Sequence, residues 1–254
     1  MTTEKLTSNF LIEYKIMKTI LTSLFLVLNI CFSEENSNFK TLNEKVNFYK
    51  DKYKVNCVSE KITDNFGNGY DSLYGTRNMR TILFGVAYRG GANNFYHKSN
   101  KRDNHNPLPE DGLDNLCSQG FTDAIYLYST NFNSAKKKII KNKNTLTYRQ
   151  NSGNSRAELK KIMLNVLEVI NNPIKGPIYL HCWNGWHQSG YVASAILMQF
   201  CKYSNQNAFD YWIKNTDGVN NGYDNVKQLV RTFKPFEDIK ISDSVSKLIC
   251  PCEK

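Results

Sequence analysis

The chain has 254 residues and a formal net charge of +10 at pH 7. A positive balance of this size suits acidic ligands such as phosphates, anionic lipids or nucleic acids, and by itself it does not choose among them. The sequence carries no RNA- or DNA-binding motif and no repeat of basic and aromatic residues, so a nucleic acid is not an expected partner. It also lacks internal repeats, which excludes a repeat protein.

The N-terminal segment has the pattern of a signal peptide. Two lysines precede an apolar run over residues 20–30, which is followed by Cys31 and an acidic stretch. This pattern predicts a signal peptide over residues 1–33, and a start at Met17 would make the signal more compact. The run, about eleven residues long, is too short to span a bilayer comfortably, so we expect a protein exported to a periplasm or secreted, with no stable membrane span after cleavage. An uncleaved anchor, a buried helix and lipid attachment at Cys31 are alternatives.

The mature chain of about 220 residues is long enough for one domain with a sizeable core. Its charge is +9, because the signal removes three Lys and two Glu. In an oxidising compartment some of the remaining cysteines would pair, and a bond from Cys57 to Cys250 or Cys252 would join the two ends of the domain. The four histidines have no metal-ligand spacing with the cysteines, so we expect no metal and no cofactor. The cysteines after the signal are Cys57, Cys117, Cys182, Cys201, Cys250 and Cys252.

The mature chain is predicted to divide into two parts at about residue 80. Residues 34–79 are predicted to form a helical or irregular N-terminal extension, and residues 80–254 an α/β domain. Within the domain, β-branched and aromatic residues predict a strand over 81–89 that leads into a Gly-Gly turn. Residues 91–109 then form a polar loop rich in Asn.

The next elements alternate between helix and strand. Pro109 can open a helix that ends at Gly120. Strands are predicted over 121–129 and 144–148, and the basic run 136–143 between them indicates a solvated loop or edge. An apolar stripe at helical spacing predicts a helix from Ser155 to Ile170.

The last predicted elements lie on either side of a loop over residues 181–190 that contains the candidate reactive residues. A short apolar strand over 177–180 runs straight into a His-Cys pair, and helices are predicted over 189–200, 206–214 and 223–233. Strands alternating with helices predict an α/β fold with a largely parallel central sheet flanked by helices. The loop then follows the C-terminal end of a strand and precedes a helix, which is where open α/β sheets place ligands.

The sequence HCWNGWHQSG, residues 181–190, is called the cysteine loop below. Backbone N–H groups at a helix N-terminus favour an anion, and the same field favours the thiolate of Cys182, which predicts a nucleophile. Gly185 lets the chain curl, and Ser189 can hydrogen-bond the thiolate. A buried core cysteine is the alternative for Cys182 taken alone.

The cysteine loop resembles the active-site loop of cysteine-dependent phosphatases, the protein tyrosine and dual-specificity superfamily. That loop runs His-Cys, five residues, Arg, then Ser or Thr. The sequence YRGGAN at 88–93, followed by a helix, Gly120 and the strand AIYLYS, resembles the opening of the small atypical members. The resemblance covers residues 80–235 approximately, and it implies a protein tyrosine phosphatase-like fold.

The resemblance also implies a two-step reaction. Cys182 would attack phosphorus, an acid would protonate the leaving oxygen, and water would hydrolyse the thiophosphate. Two departures stand out: Gln188 occupies the place of the loop arginine, and no Asp lies between residues 131 and 181, where the family's acid is expected. Gln150 lies near that expected position. His187 is the predicted substitute acid, since imidazole titrates near neutrality, and an outward-pointing loop residue is the alternative.

Other positions complete the predicted site. Arg89 could bind the phosphate or close a salt bridge, and Trp186 could wall the pocket or pack under the loop. His181 would support the loop by hydrogen bonding, together with Gln150, while His97 and His105 would line a cleft mouth or lie exposed. The predicted substrate-binding residues are Trp183, Asn184, Gly185, Trp186, Gln188, Gly190 and Arg89.

Three functions therefore compete. The first is an exported phosphatase that acts on a phosphorylated small molecule, an inositol phosphate, a lipid or a protein. The second is a catalytically inactive phosphate-binding module, or pseudophosphatase. The third is a cysteine enzyme of a non-phosphatase class, in which Cys182 and His187 handle an acyl or thiol substrate.

Overall fold

The computed structural model describes residues 17–18 and 39–252. The predicted signal segment 1–33 lies outside the described residues except at 17–18, and the fold below is that of the compact unit Ser37–Lys254. Among the described residues, none of the helices combines the length and the apolar character needed to cross a bilayer.

The described residues form one six-stranded sheet in the order β1-β2-β6-β3-β5-β4. The four central strands β2, β6, β3 and β5 are parallel, and an antiparallel strand closes each edge. The prediction of an α/β fold with a largely parallel sheet is therefore confirmed. The strands are β1 (Thr76–Leu83), β2 (Ala87–Ala92), β3 (Asp123–Tyr126), β4 (Lys138–Lys141), β5 (Asn144–Gln150) and β6 (Ile178–Cys182).

Helices pack against this sheet. Helix α4 packs against β6, β2 and β1 and also contacts α5 and α6, whereas α2 covers β4 and β5. Both α1 and α3 begin with a capping box, in which Thr41 or Ser155 caps the helix and a glutamate three residues later bonds back. The described helices are α1 (Leu42–Tyr53), α2 (Glu110–Ser118), α3 (Arg156–Asn171), α4 (His187–Phe200), α5 (Asn205–Lys214), α6 (Asp224–Thr232) and α7 (Asp243–Ile249).

The single strand predicted over 81–89 is wrong, because a tight turn around Gly85 divides the region into β1 and β2. Gly85 has a φ of +66°, a backbone conformation that glycine adopts without strain. All the residues from 76 to 92 are buried, so no change between buried and exposed positions marks the turn. The predicted Gly-Gly turn is also wrong, since Gly90 and Gly91 lie within β2.

One element was predicted only as an alternative, and another was not predicted. The basic run 136–143 contains the edge strand β4, in which Ile139 is the one buried residue, so the prediction of an edge was the better of the two alternatives. Helix α7 near the C-terminus was not predicted. Its Ser242 cap accepts a hydrogen bond from Val245 N.

Helix α1 shares a core with the sheet. Tyr49 is 1% exposed, and its ring lies 6.2 Å from Tyr88 of β2 and 6.3 Å from Phe121. Lys45 is buried on the same helix, where Nζ donates to Val169 O at 2.8 Å at the end of α3. The predicted division between an extension and a domain at residue 80 stays a prediction.

Two disulfide bonds hold the ends of the domain. Cys57 pairs with Cys252, with Cα atoms 4.8 Å apart, and Cys201 pairs with Cys250, with Cα atoms 5.7 Å apart. The first bond joins the two ends of the domain as the sequence suggested. Cys182 is free and buried, as is Cys117.

Candidate active site

The cysteine loop joins β6 to α4. Strand β6 is buried along its whole length and ends at Cys182, and α4 begins at His187. Cys182 is 3% exposed, and its Sγ lies 3.4 Å from Ser189 Oγ on the first turn of α4. The structure therefore brings the predicted nucleophile and its predicted hydroxyl partner together at a helix N-terminus.

Glycines make room for this loop against β2. A Cβ on Gly185, which has a φ of +77°, would lie 2.7 Å from Gly90 C and Gly91 N. A Cβ on Gly91 would lie 2.5 Å from Asn184 C. The loop backbone is bonded to the same strand, since Ala92 N donates to Trp183 O at 3.0 Å. The Gly-Gly pair therefore lets the loop backbone pack directly against β2.

Gly190 brings α4 close to its neighbours in the same way. A Cβ there would lie 3.0 Å from Trp212 Cδ1 and 3.5 Å from Arg89 Nη2. A side chain at this position would therefore press on the indole and the guanidinium that support the start of the helix.

Arg89 lies behind the loop and is fully buried, at 0% exposed. Its Nη2 donates to Gly185 O and, at 3.2 Å, to Trp186 O, while Nη1 donates to Tyr211 Oη at 3.2 Å. These bonds hold two loop carbonyls on the side of the guanidinium. The predicted binding of phosphate by Arg89 stays a prediction, and its visible contacts fix the loop backbone.

His181 supports the loop from the sheet. Its Nδ1 lies 3.1 Å from Cys182 O, and because a carbonyl only accepts, Nδ1 carries the proton. Its Nε2 then accepts from Tyr148 Oη at 2.8 Å. Burial lowers the pKa of His181 to about 3, and Tyr179 stacks on the ring at 5.7 Å. A neutral, fixed imidazole of this kind suits the orienting role predicted for it.

His187, the predicted acid, is 7% exposed and is not an outward-pointing residue. Its Nε2 donates to Val219 O at 2.5 Å, and its ring stacks on Tyr223 with centroids 3.6 Å apart. Burial lowers its pKa; the bond to Val219 opposes this change, and the charge of Arg89 adds to it. The side chain is therefore neutral at pH 7.

Gln188 is turned toward the loop that follows β5. Its Nε2 donates to Ser152 O at 2.6 Å and to Asn154 Oδ1 at 2.7 Å, and the residue is 4% exposed. Gln150 lies exposed at the end of β5, beside Tyr126 in the sheet. The amide at position 188 thus ties the cysteine loop to the segment 152–154, which carries no carboxylate.

The remaining loop side chains contact aromatic and polar neighbours. Trp183 Nε1 donates to Tyr126 Oη at 2.7 Å, and its ring lies 4.4 Å from that of Tyr128. Trp186 Nε1 donates to Asp217 Oδ2 at 3.1 Å. Both indoles are half-buried, so each forms part of the wall beside the loop.

Sequence reasoning missed Arg77 and Asn104, which both contact the loop. Arg77 of β1 donates from Nη1 to Asn184 Oδ1 at 3.3 Å, and Asn104 donates to the same oxygen. His105, which was considered for the mouth of a cleft, lies edge-on to Trp183 at 4.3 Å. No local signal marks Arg77, because only the pairing of β1 with β2 brings it to the loop.

Between residues 39 and 252 and at 17–18, no group of three or more His, Cys, Asp and Glu side chains is arranged to hold a metal ion.

No protein-family model and no curated protein matches the chain. The chain is similar to the Siw14 catalytic core, with a TM-score of 0.41 and 15% identity over 74% of this chain and 92% of that chain. It is similar to the core catalytic domain of the PP-IP phosphatase SIW14 from S. cerevisiae in complex with citrate, with a TM-score of 0.40 and 16% identity over 68% and 90% of the two chains. It is also similar to the Cydia pomonella PTP-2 phosphatase, with a TM-score of 0.38 and 13% identity over 60% and 88%. Similarity at this level does not carry residue roles from one chain to another.

Proposed function

We propose that the protein hydrolyses a phosphate monoester through a thiophosphate intermediate on Cys182. The observation that carries the proposal is the position of the thiol at the base of a loop on a helix N-terminus, with Sγ 3.4 Å from Ser189 Oγ. Backbone N–H groups there bind anions and favour the thiolate. A thiolate beside an anion cradle is the arrangement that nucleophilic phosphoryl transfer needs.

The proposed reaction has two steps. In the first, Cys182 Sγ forms a bond to phosphorus, the ester P–O bond breaks, and the leaving oxygen takes the electron pair together with a proton from the acid. In the second, water attacks phosphorus and gives its proton to the same group, and the S–P bond breaks to return the thiolate. Ser189 stabilises that thiolate by donating a hydrogen bond.

His187 is the proposed acid. It belongs to the first turn of α4, next to the loop that binds the phosphate. Because Nε2 donates to Val219 O, the protonated ring would offer Nδ1 as its second donor. The lowered pKa makes the neutral form dominant at pH 7, so this acid acts best under acidic conditions.

Gln188 favours a second candidate, an inactive phosphate-binding module. Its amide is bonded to the 152–154 loop, and it carries no charge to neutralise a transferring phosphoryl group. Removal of a single donor from such a site costs roughly 10²–10³ in rate, so loss of a charged donor can leave binding without turnover. No contact among the described residues specifically favours the third function, a Cys/His enzyme of a non-phosphatase class.

The substrate we propose is a phosphorylated small molecule, an inositol phosphate, a lipid or a protein. The net charge of +10 supports an anionic substrate, and the half-buried indoles beside the loop would contact the group that carries the phosphate. The predicted signal segment supports export, to a periplasm or out of the cell, as the place where it acts.

The test compares p-nitrophenyl phosphate and a panel of phosphoinositides as substrates of the parent protein, Cys182→Ser and Gln188→Arg. We expect measurable hydrolysis by the parent and its loss in Cys182→Ser. An inactive parent with activity in Gln188→Arg would contradict turnover and identify the inactive module. If phosphate does not compete with substrate for the site, a non-phosphatase cysteine enzyme is indicated instead.

A further inference from the structure

Three arginines are buried behind the cysteine loop, with one carboxylate among them. Arg77 and Arg80 are each 2% exposed, and Arg89 is 0% exposed. Asp217 pairs with Arg80 Nη2 at 3.2 Å and also with Lys61 Nζ at 2.8 Å. Within the described part of the chain, no carboxylate lies within ion-pair distance of the other two guanidinium groups.

This arrangement has an excess of buried positive charge. Burial and the charge of Arg89 lower the pKa of Arg80 to about 10, so the guanidinium groups act on one another. Each of the three arginines has a buried Nε without a hydrogen-bond partner among the described residues. Because burial of an unpaired charge is strongly unfavourable, an anion held close to these groups would offset their cost.

Arg77 connects this charge to the loop. Its Nη1 lies 3.3 Å from Asn184 Oδ1, two residues after Cys182, and its guanidinium lies 5.7 Å from the ring of Trp186. Burial lowers the pKa of Arg77, and the negative charges of Tyr96, Cys182 and Asp217, when these groups are ionised, oppose this change. Because Nη1 is bonded to Asn184, the positive charge of the guanidinium lies beside the cysteine loop and any anion bound there.

The side chain of Arg89 contacts the backbone of the same loop. Its Nη2 donates to the carbonyls of Gly185 and Trp186, which are neutral acceptors and leave its charge uncompensated. With those carbonyls held on the arginine side, the positive potential of the guanidinium extends across the loop. The two arginines thus approach the loop through different contacts, one to a side chain and one to the backbone.

We infer that Arg77 and Arg89 together supply the positive charge that the loop lacks at position 188, and that the ligand they balance is a phosphate dianion. The inference rests on the proposed function, because the anion occupies the same loop. The charge acts from behind the loop, so neither guanidinium needs to enter the cradle. Arg77 is a positioning residue that makes an uncharged Gln188 compatible with anion binding.

The test is the affinity for inorganic phosphate, measured by titration calorimetry with the full chain. Arg77→Gln removes the charge and is expected to weaken binding by tenfold or more, as roughly expected for a partly buried pair of charges. Arg77→Lys keeps the charge and is expected to retain most of the affinity. Arg231→Gln, an exposed arginine over the ring of Phe209, removes the same charge far from the loop and should bind as the parent does.

A rescue variant separates charge from structure. Gln188→Arg placed in the Arg77→Gln background returns one positive charge to the loop and should restore affinity. Unchanged binding in Arg77→Gln would overturn the inference, and so would an equal loss in Arg77→Lys, because that variant retains the charge. If Arg77→Gln does not fold by circular dichroism, the comparison of Arg77→Lys with the parent decides.

The same data separate this inference from the proposed hydrolysis. Phosphate binding that depends on Arg77 in a protein without turnover would support the inference and contradict the hydrolysis. Hydrolysis that depends on Cys182, with binding indifferent to Arg77, would do the reverse. A parent protein that does not bind phosphate would overturn the inference.

Discussion

Gln188 anchors the cysteine loop instead of offering a charge to an anion. Its amide makes two short hydrogen bonds, to Ser152 O and Asn154 Oδ1, and these would both be lost in Gln188→Arg. The arginine variant therefore gains a charge and loses a tie between two loops. For this reason its phosphate affinity is expected to rise and its thermal stability to fall.

The protonation of His187 is expected to control the pH dependence of hydrolysis. Burial holds its pKa below the ordinary value of about 6.5, and the groups that face it are Val219 O, Tyr223, Trp212 and the charge of Arg89. An acid must be protonated to act, so the rate should rise as the pH falls below 7 toward this lowered pKa.

His187→Asn tests the assignment through two leaving groups. An alkyl phosphate needs protonation of its leaving oxygen far more than p-nitrophenyl phosphate does. The variant should lose about 10²-fold or more in kcat on the alkyl ester, much less on the aryl ester, and the rise toward low pH should disappear. Equal losses on both substrates, with an unchanged pH profile, would show that His187 only packs against Tyr223.

The sequence identified the residues of the loop itself but not the direction of their side chains. A strand, His-Cys, five residues, Ser-Gly and an apolar helix form a local pattern, and Cys182 and Ser189 are adjacent as that pattern predicts. The contacts of Gln188 depend on where the 152–154 loop lies, and those of Arg77 depend on strand pairing. Neither is local, and neither could be derived from spacing along the chain.

At the scale of elements, β2 and the cysteine loop form one unit. Gly91 pairs with Asn184 in an isolated bridge, and Ala92 N donates to Trp183 O. Strand β2 therefore determines where the backbone N–H groups of the loop point. The same strand carries Arg89, so it also provides the buried charge.

Gly91→Ala should disturb the loop without straining β2 itself. The new Cβ would lie 2.5 Å from Asn184 C and 2.6 Å from Gly185 N, and a backbone so close must move. We expect a loss of about 1–3 kcal/mol in the free energy of unfolding. We also expect phosphate binding to weaken by about tenfold or more, as much as in Arg77→Gln.

Gly85→Ala is the matched control. Its φ of +66° strains an alanine, and the new Cβ would lie 3.1 Å from Lys45 O, but Gly85 lies in the turn before β2, at the end of that strand away from the cysteine loop. It should cost about 1–2 kcal/mol in unfolding and leave phosphate affinity unchanged. A Gly91→Ala variant that binds phosphate as tightly as the Gly85→Ala control would contradict the proposal that β2 positions the loop.

Elements with a clear periodicity were predicted well, but the buried hairpin of β1 and β2 was not. The stripe of α3 is buried as its spacing predicts, from Leu159 to Ile170. Between residues 76 and 92 both faces of two strands are buried, and the polar side chains there are buried with the apolar ones, so the pattern does not show where the hairpin turns. Edge strand β4 lies in a basic run with a single buried residue, which is too weak a pattern to distinguish it from a loop.

At the scale of the whole molecule, the domain encloses the thiol of Cys182 and pairs the cysteines at its ends. Cys57–Cys252 and Cys201–Cys250 are disulfides, while Cys182 is free. Disulfides persist in oxidising compartments, which agrees with the proposed export. A cysteine that stays reduced there would remain available as a nucleophile.

The central claim is that Cys182 becomes phosphorylated during turnover. The measurement is rapid alkaline quenching of the protein mixed with p-nitrophenyl phosphate, because the S–P bond hydrolyses in acid, followed by mass spectrometry of the peptide that contains Cys182. We predict one phosphoryl group on Cys182 in the parent and none in Cys182→Ser. Substrate hydrolysis that continues in Cys182→Ser, or turnover by the parent with no phosphoryl group trapped on this cysteine, would contradict the account.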